Sequence, residues 1–372
     1  MKLILAVLAC AMLVGCTSMP YRPAQADGAF PGLVDFVASA PGRSVDVLLV
    51  HGMCTHDVRW VDATVAQLSS ALRAQTQAPA AAPAAMAAAE GIQLVERRIT
   101  LRQGELRIKA LVWSPLTTPL KHQLDYDHSD RLPVVRAKLN ARAKDLLMDD
   151  CIPDALIYQG VSRDAIQQRM AQAVLRATEG AAPDAPLLVL SASLGSKILF
   201  DTLLRMDAAA QRTIDRIAYL VMAANQIPLL TLADQQAVAA APVPGPGPGS
   251  GPGATPTASG ASGAPAASTA SAAQSGDSLQ ALLRKRRAAA TPRTARKLTL
   301  VAFSDPNDLL TYTLERERYA PLGVEVVNVL VSNAPTWFGL LERPDHAHGN
   351  YLLNPDVARM AACGQPRSAR CE

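Results

Sequence analysis

Short apolar runs rich in Val and Leu recur along this chain, and helical segments separate them. The runs lie at Asp46–Val50, Pro186–Leu190, Ile217–Ala223, Lys297–Phe303 and Val324–Val331. A strand with one face in water alternates polar and apolar residues, whereas a strand apolar throughout is buried on both faces. Buried strands alternating with helices specify an α/β fold, with a mostly parallel central sheet covered by helices on both faces. Two further strands, Ile92–Leu101 and Glu105–Trp113, join at Gln103-Gly104. Helical spacing covers Asp57–Leu72, with Asp57 as N-cap, and also Arg136–Leu147 and Ser162–Ala177. The 372 residues, 49% of them hydrophobic, can fill one large core or two small ones. A net charge of +4 is weak for this length and gives no reason to expect a nucleic-acid partner.

The strand pattern is interrupted once. Residues 241–278 are dominated by Pro, Gly, Ala and Ser, including the run Pro242 to Gly249. Such a stretch cannot bury enough apolar area to offset its ordering entropy. The sheet pattern resumes afterwards, so residues 231–296 are expected to be a disordered, low-complexity insertion. It would divide one core into a first part, 44–230, and a second part, 297–372. Within the first part, residues 114–131 form an irregular, lid-like loop. The basic run Arg284–Arg287 is read as solvated, with contact to anionic lipid head groups as the alternative.

The N-terminus reads as a processing signal. Lys2 precedes an apolar run, Leu3–Val14, too short to span a bilayer but suited to a signal peptide. It ends in Leu13-Val14-Gly15-Cys16, which resembles a bacterial lipobox. That resemblance implies a signal peptide over residues 1–15, a lipid on Cys16 and a tether over residues 16–43. An ordinary secretory signal is the alternative. Thr17 follows, with no Asp there to favour retention at the inner membrane, so the periplasmic face of the outer membrane is the expected address. In an oxidising compartment Cys54, Cys151, Cys363 and Cys371 form an even set. Cys363 and Cys371 enclose a short loop and are the natural pair, leaving Cys54 with Cys151; four free thiols are the alternative. No cysteine spacing resembles a zinc site.

Four segments carry chemistry. The apolar strand at Pro186–Leu190 runs into Ser191-Ala192-Ser193-Leu194-Gly195 and then a helix, the context of a nucleophile elbow with Ser193 at the turn. The usual pattern is Gly-x-Ser-x-Gly, and here Ser191 replaces the first Gly. Val50-His51-Gly52-Met53 follows an early strand and suits an oxyanion loop, with the Met53 and Leu194 backbone amides as donors. Asp305 and Asp308 lie just past the strand that ends at Phe303; Asp308 is the favoured acid and Asp305 the alternative. His348, before Gly349, is the favoured base and His346 the alternative.

In this order the four segments resemble the lipase/esterase-like branch of the α/β-hydrolase superfamily, over about residues 44–356. The resemblance implies a catalytic triad of Ser193, Asp308 and His348 and an acyl-enzyme on Ser193. It also implies a carboxylic ester substrate, either a small molecule or a lipid, and neither metal nor cofactor. An acyltransferase or thioesterase with the same triad is an alternative. So is a catalytically silent envelope-binding lipoprotein, which the missing first Gly keeps open.

Overall fold

The computed structural model describes residues 23–77, 91–235, 277–288, 297–336 and 340–371. The expected signal peptide, the Cys16 lipidation site and most of the low-complexity stretch lie outside the described residues.

The fold is α/β, built on one sheet. In chain order its strands are β1 (Gln25–Ala26), β2 (Ser44–Val50), β3 (Gln75–Gln77), β4 (Gln93–Leu101), β5 (Gly104–Val112), β6 (Leu187–Ala192), β7 (Ile217–Ala223), β8 (Thr299–Ser304) and β9 (Glu325–Leu330). The strand order is β1-β9-β8-β7-β6-β2-β5-β4-β3. Strands β9 through β5 run parallel, while β1, β4 and β3 pair antiparallel at the two margins. The expectation of a mostly parallel sheet is therefore corrected to a mixed one. Only Arg102 and Gln103 separate β4 from β5, and a connection that short permits only antiparallel pairing.

Alternating residues along each strand serve two cores. From β2, Val47 and Leu49 join a cluster with helix α1 (Leu33–Ser39), helix α2 (Val58–Leu72) and the C-terminal helix at Pro355–Cys363. Leu48 and Val50 face the other way, towards α3 (Ile152–Gln159), α4 (Arg163–Thr178) and α5 (Ser193–Arg205). Helices α6 (Ala208–Arg216), α7 (Ile227–Thr231) and α8 (Ser278–Ala288) lie on this second side, α9 is Pro344–Gly349, and the C-terminal helix is α10. Asp57 caps α2 as expected, accepting from the Arg59 and Trp60 amides.

The structure moves several expected boundaries. The tether over residues 16–43 is too long: from Gln25 the chain is already in the sheet, and Phe30, Leu33, Val34 and Val37 are buried. The insertion over 231–296 is too long at both ends. Leu232–Asp234 is helical, and α8 buries Leu279, Leu282 and Leu283 against α5. Asp277 caps α8 and accepts from Tyr319. The basic run is not simply solvated, because the Lys285 ammonium donates to the Leu203, Leu204 and Met206 carbonyls at the C-terminal end of α5. The lid-like loop 114–131 is less irregular than expected, with short helical turns at Ser114–Leu116, Thr118–Lys121 and His122–Asp127. The helix expected at Arg136–Leu147 starts at Lys138 and runs through a π-helical stretch, Ala143–Cys151, into α3.

Candidate active site

Strand β6 ends in the sheet centre and α5 starts at once, so the chain must turn within a single residue. Ser193 takes that turn with φ 51°, a left-handed conformation rare outside glycine. The turn lifts its hydroxyl off the C-terminal end of β6, at the positive end of α5. Gly195 is required there, since a Cβ would lie 1.9 Å from the His51 carbonyl oxygen. Ser191 is tolerated because its hydroxyl points inward, accepting from Ser196 at 2.9 Å.

The Ser193 Oγ lies 2.9 Å from His348 Nε2. On the other side of the ring, His348 Nδ1 lies 3.0 Å and 2.9 Å from the two Asp308 carboxylate oxygens. A carboxylate only accepts, so Nδ1 carries the proton and Nε2 is free to accept from Ser193. All three side chains are buried. Asp308 is held in turn by the Leu310 amide at 3.0 Å and the Tyr351 hydroxyl at 3.0 Å.

Asp305, the alternative acid, does not reach the imidazole. Its carboxylate accepts from the Asn307 amide at 2.9 Å and the Asn333 amide at 2.6 Å, tying the loops after β8 and β9 together. Its own amide donates to Tyr351 Oη at 2.7 Å. Buried Glu342 faces Asp305 and accepts from Asn307 Nδ2 at 2.8 Å. Burial, and then the negative charge of Asp305, push the Glu342 carboxyl up to about 7. His346, the alternative base, is half-exposed beside Asp345 on α9.

Gly52 crosses directly over the nucleophile. A Cβ at this position would stand 2.8 Å from Ser193 Cβ and 3.4 Å from its Oγ. Gly52, Met53, Ser193 and His348 line one cleft of about 20 Å³, with His56, Trp60 and Tyr351 around it. The Leu194 amide lies in the first turn of α5, where backbone N–H groups have no intrahelical acceptor.

His51 fixes the peptide between Gly52 and Met53. The Trp113 amide donates to His51 Nε2 at 2.9 Å, which leaves the ring proton on Nδ1, 2.8 Å from the Gly52 carbonyl oxygen. A trans peptide points its N–H opposite its C=O, so holding that carbonyl turns the Met53 amide away from His51. The ring is stacked between Trp113 and His56, with centroids at 4.8 Å and 4.6 Å. Burial, and then neighbouring His56, hold the His51 pKa well below its ordinary value, so the ring is neutral.

The next residues are clamped to the segment before α3. Cys54 and Cys151 form a disulfide, and the Cys54 amide donates to Asp154 at 2.8 Å. The buried Lys121 ammonium reaches Asp150 at 2.7 Å, Asp154 at 3.2 Å and Thr55 Oγ1 at 2.9 Å. Burial pushes the Asp154 carboxyl up, against the Lys121 charge. Cys363 and Cys371 form the second disulfide. Cys54, Cys151 and Asp150 sit close enough to share an ion, but bonded sulfurs offer no thiolate.

The structure thus brings Ser193, His348 and Asp308 together, with Met53 and Leu194 beside them, and leaves Asp305 and His346 outside. Sequence reasoning missed Tyr351, although it lies three residues after His348. It also missed Gln226, whose amide lies 3.3 Å from His348 Nε2; its one signal is its position just past the end of β7. Compared with known proteins, the chain matches no family model, no curated protein and no solved structure.

Proposed function

We propose that this chain is a serine hydrolase of the α/β-hydrolase kind that cleaves carboxylic esters through an acyl-enzyme on Ser193, lipid-anchored through Cys16 at the cell envelope. The observation that carries the reading is the unbroken chain from Ser193 Oγ to His348 Nε2 and from Nδ1 to Asp308, starting at a serine held in a left-handed turn. A serine hydroxyl is a poor nucleophile at neutral pH without a positioned base, and this arrangement supplies one. As Oγ attacks the ester carbon, its proton passes to His348 Nε2, and the carbonyl electron pair moves onto oxygen. The Met53 and Leu194 amides would hold that oxyanion. Collapse expels the alcohol, which takes the proton from His348, and water then repeats the sequence to release the acid. Asp308 keeps the imidazole in the required tautomer and stabilises its charged form.

The lipobox-like Leu13–Cys16 supports the envelope address. The catalytic reading is tested with a fluorescent fluorophosphonate. Labelling of the wild type and none of Ser193→Ala is the expected result; an unlabelled wild type would sink it.

A further inference from the structure

The tether and the catalytic residues leave the fold at the same end. Strand β1 runs antiparallel to β9, with Gln25 opposite Leu330 and Ala26 opposite Val329. Followed backwards from Gln25, the chain therefore passes beyond the C-terminal end of β9. Pro23 and Gln25 line a groove with Pro306, Asn307 and Val331, in the loops that follow β8 and β9. Asp308 and its partner His348 belong to this same end of the sheet.

Apolar side chains stand exposed around it. Leu309, in the acid loop, is 77% exposed, and Leu340 and Leu341 are 87% and 54% exposed. The last two directly precede Glu342, which accepts from Asn307 Nδ2 at the groove. Across α9, Asp345 pairs with Arg142 at 3.4 Å, and Val135 and Leu139 of that neighbouring segment are likewise exposed. Exposed apolar groups on both sides of the His348 helix fit an apolar partner better than bulk water.

Chain length selects the partner. Pro23 lies seven positions after Cys16, a reach of at most about 25 Å fully extended. The described residues as one compact body have a radius of gyration of about 19 Å, hence a diameter of about 50 Å. A lipid on Cys16 cannot be carried round to the far end of the sheet. The bilayer therefore meets either the end of the sheet that bears Pro23 or the β1 edge beside it, and the exposed leucines select the end.

We propose that the catalytic mouth is docked against the membrane that holds its own lipid anchor, with Leu340 and Leu341 inserted in the lipid interface, and that its substrates are esters presented by that bilayer. The proposal rests on the anchored-hydrolase reading above and extends it to a membrane surface as the partner.

The test uses the full-length, lipid-modified protein in phosphatidylglycerol–phosphatidylethanolamine vesicles. An environment-sensitive fluorophore is placed on Leu340→Cys or, at the opposite end of the sheet, on Arg102→Cys in the β4–β5 turn. The label at 340 should report an apolar environment only with vesicles present, and the label at 102 should stay in water throughout. Leu340→Ser/Leu341→Ser should hydrolyse soluble nitrophenyl acetate and label with fluorophosphonate as the wild type does. It should lose about tenfold on an ester embedded in the vesicles, the loss expected from withdrawing two partly inserted leucines. Equal hydration of the two labels on vesicles, or an unchanged vesicle rate in the double variant, overturns the proposal. A label at 340 already shielded without vesicles overturns it in favour of a second copy of the chain. A mature mass without lipid removes its premise. An unlabelled Ser193 instead defeats the hydrolase reading and leaves the orientation to the two fluorophores.

Discussion

His51 makes two hydrogen bonds that can be removed separately, and only one of them bears on catalysis. Its Nδ1 orients the Gly52–Met53 peptide, and its Nε2 accepts from Trp113. An Asn side chain places an amide nitrogen where Nδ1 stands, and a Gln side chain places a carbonyl oxygen near the Nε2 position. His51→Asn therefore keeps the contact to Gly52 and orphans the Trp113 amide, and His51→Gln does the reverse. Loss of an oxyanion donor outright costs about 100- to 1,000-fold in kcat. Here the donor stays but loses one buried bond that aims it, worth about 1–3 kcal/mol when left unmade. The expected effect of His51→Gln is a kcat lower by about 10- to 100-fold with KM little changed, since the oxyanion exists only in the transition state. His51→Asn should keep kcat within a few-fold of wild type and instead lose about 1–3 kcal/mol of stability through the unpaired Trp113 amide. Steady-state kinetics on nitrophenyl esters and urea unfolding read the two effects independently. If His51→Gln kept wild-type kcat, or raised KM alone, the Gly52–Met53 peptide would not be under the control of His51.

Other outcomes follow from the same geometry. Ser193→Ala and His348→Ala should each reduce ester hydrolysis by several orders of magnitude, and the double variant should be scarcely worse, because the two act as a unit. Asp308→Asn should cost less than either. Asp305→Asn should lower the urea midpoint, through its lost amide contacts, while sparing kcat; the opposite pattern in the two Asp variants would reverse the acid assignment. Glu342 has its folded pKa raised from 4.5 to about 7, so its contribution to stability is complete below about pH 4.5 and is lost as the pH rises through about 7. The urea midpoint of Glu342→Gln should lack that loss; parallel pH profiles for variant and wild type would refute the assignment. Deleting residues 241–272 should leave unfolding cooperative with an unchanged midpoint, since loop length costs only about 0.6 kcal/mol per doubling. A deletion that also removes Asp277 should cost about 1–2 kcal/mol through the lost cap of α8.

The parallel strands β2, β6, β7, β8 and β9 were legible as short, mostly apolar runs, whereas the parallel β5 alternates Glu105, Arg107 and Lys109 with apolar residues. Ser193, Asp308 and His348 were legible because they lie just past strand ends or in the last loop, where position narrows the choice. The choice between Asp305 and Asp308 needed coordinates, since it depends on which carboxylate the loop turns towards α9. Helix α1 was obscured by its Gly- and Pro-rich surroundings, although Leu33, Val34 and Val37 have helical spacing. In α8 the basic run drew attention to charge, while Leu279, Leu282 and Leu283 carried the packing. Strand direction at the sheet margins is set by connection length more than by residue type. The role of His51 depends on a tautomer, which no sequence pattern encodes.

The disulfide beside Met53 bears on when the site is finished. Cys54 joins Cys151 across 97 residues of sequence, so the bond closes only after both segments have met and an oxidant has reached them. A chain still in a reducing compartment could bring Ser193, His348 and Asp308 together, because none of them depends on that bond. Its Gly52–Thr55 loop would then be held by hydrogen bonds, with His51 on the Gly52 carbonyl, Asp154 and Asp150 on the Cys54 and Thr55 amides and Lys121 on Thr55, and by no covalent link to the segment before α3. Assembly thus has a built-in order: Ser193, His348 and Asp308 can meet before oxidation, and the covalently braced Gly52–Thr55 loop follows it. On the exported-hydrolase reading proposed above, ester attack would be weakest while the chain is still in the compartment that made it.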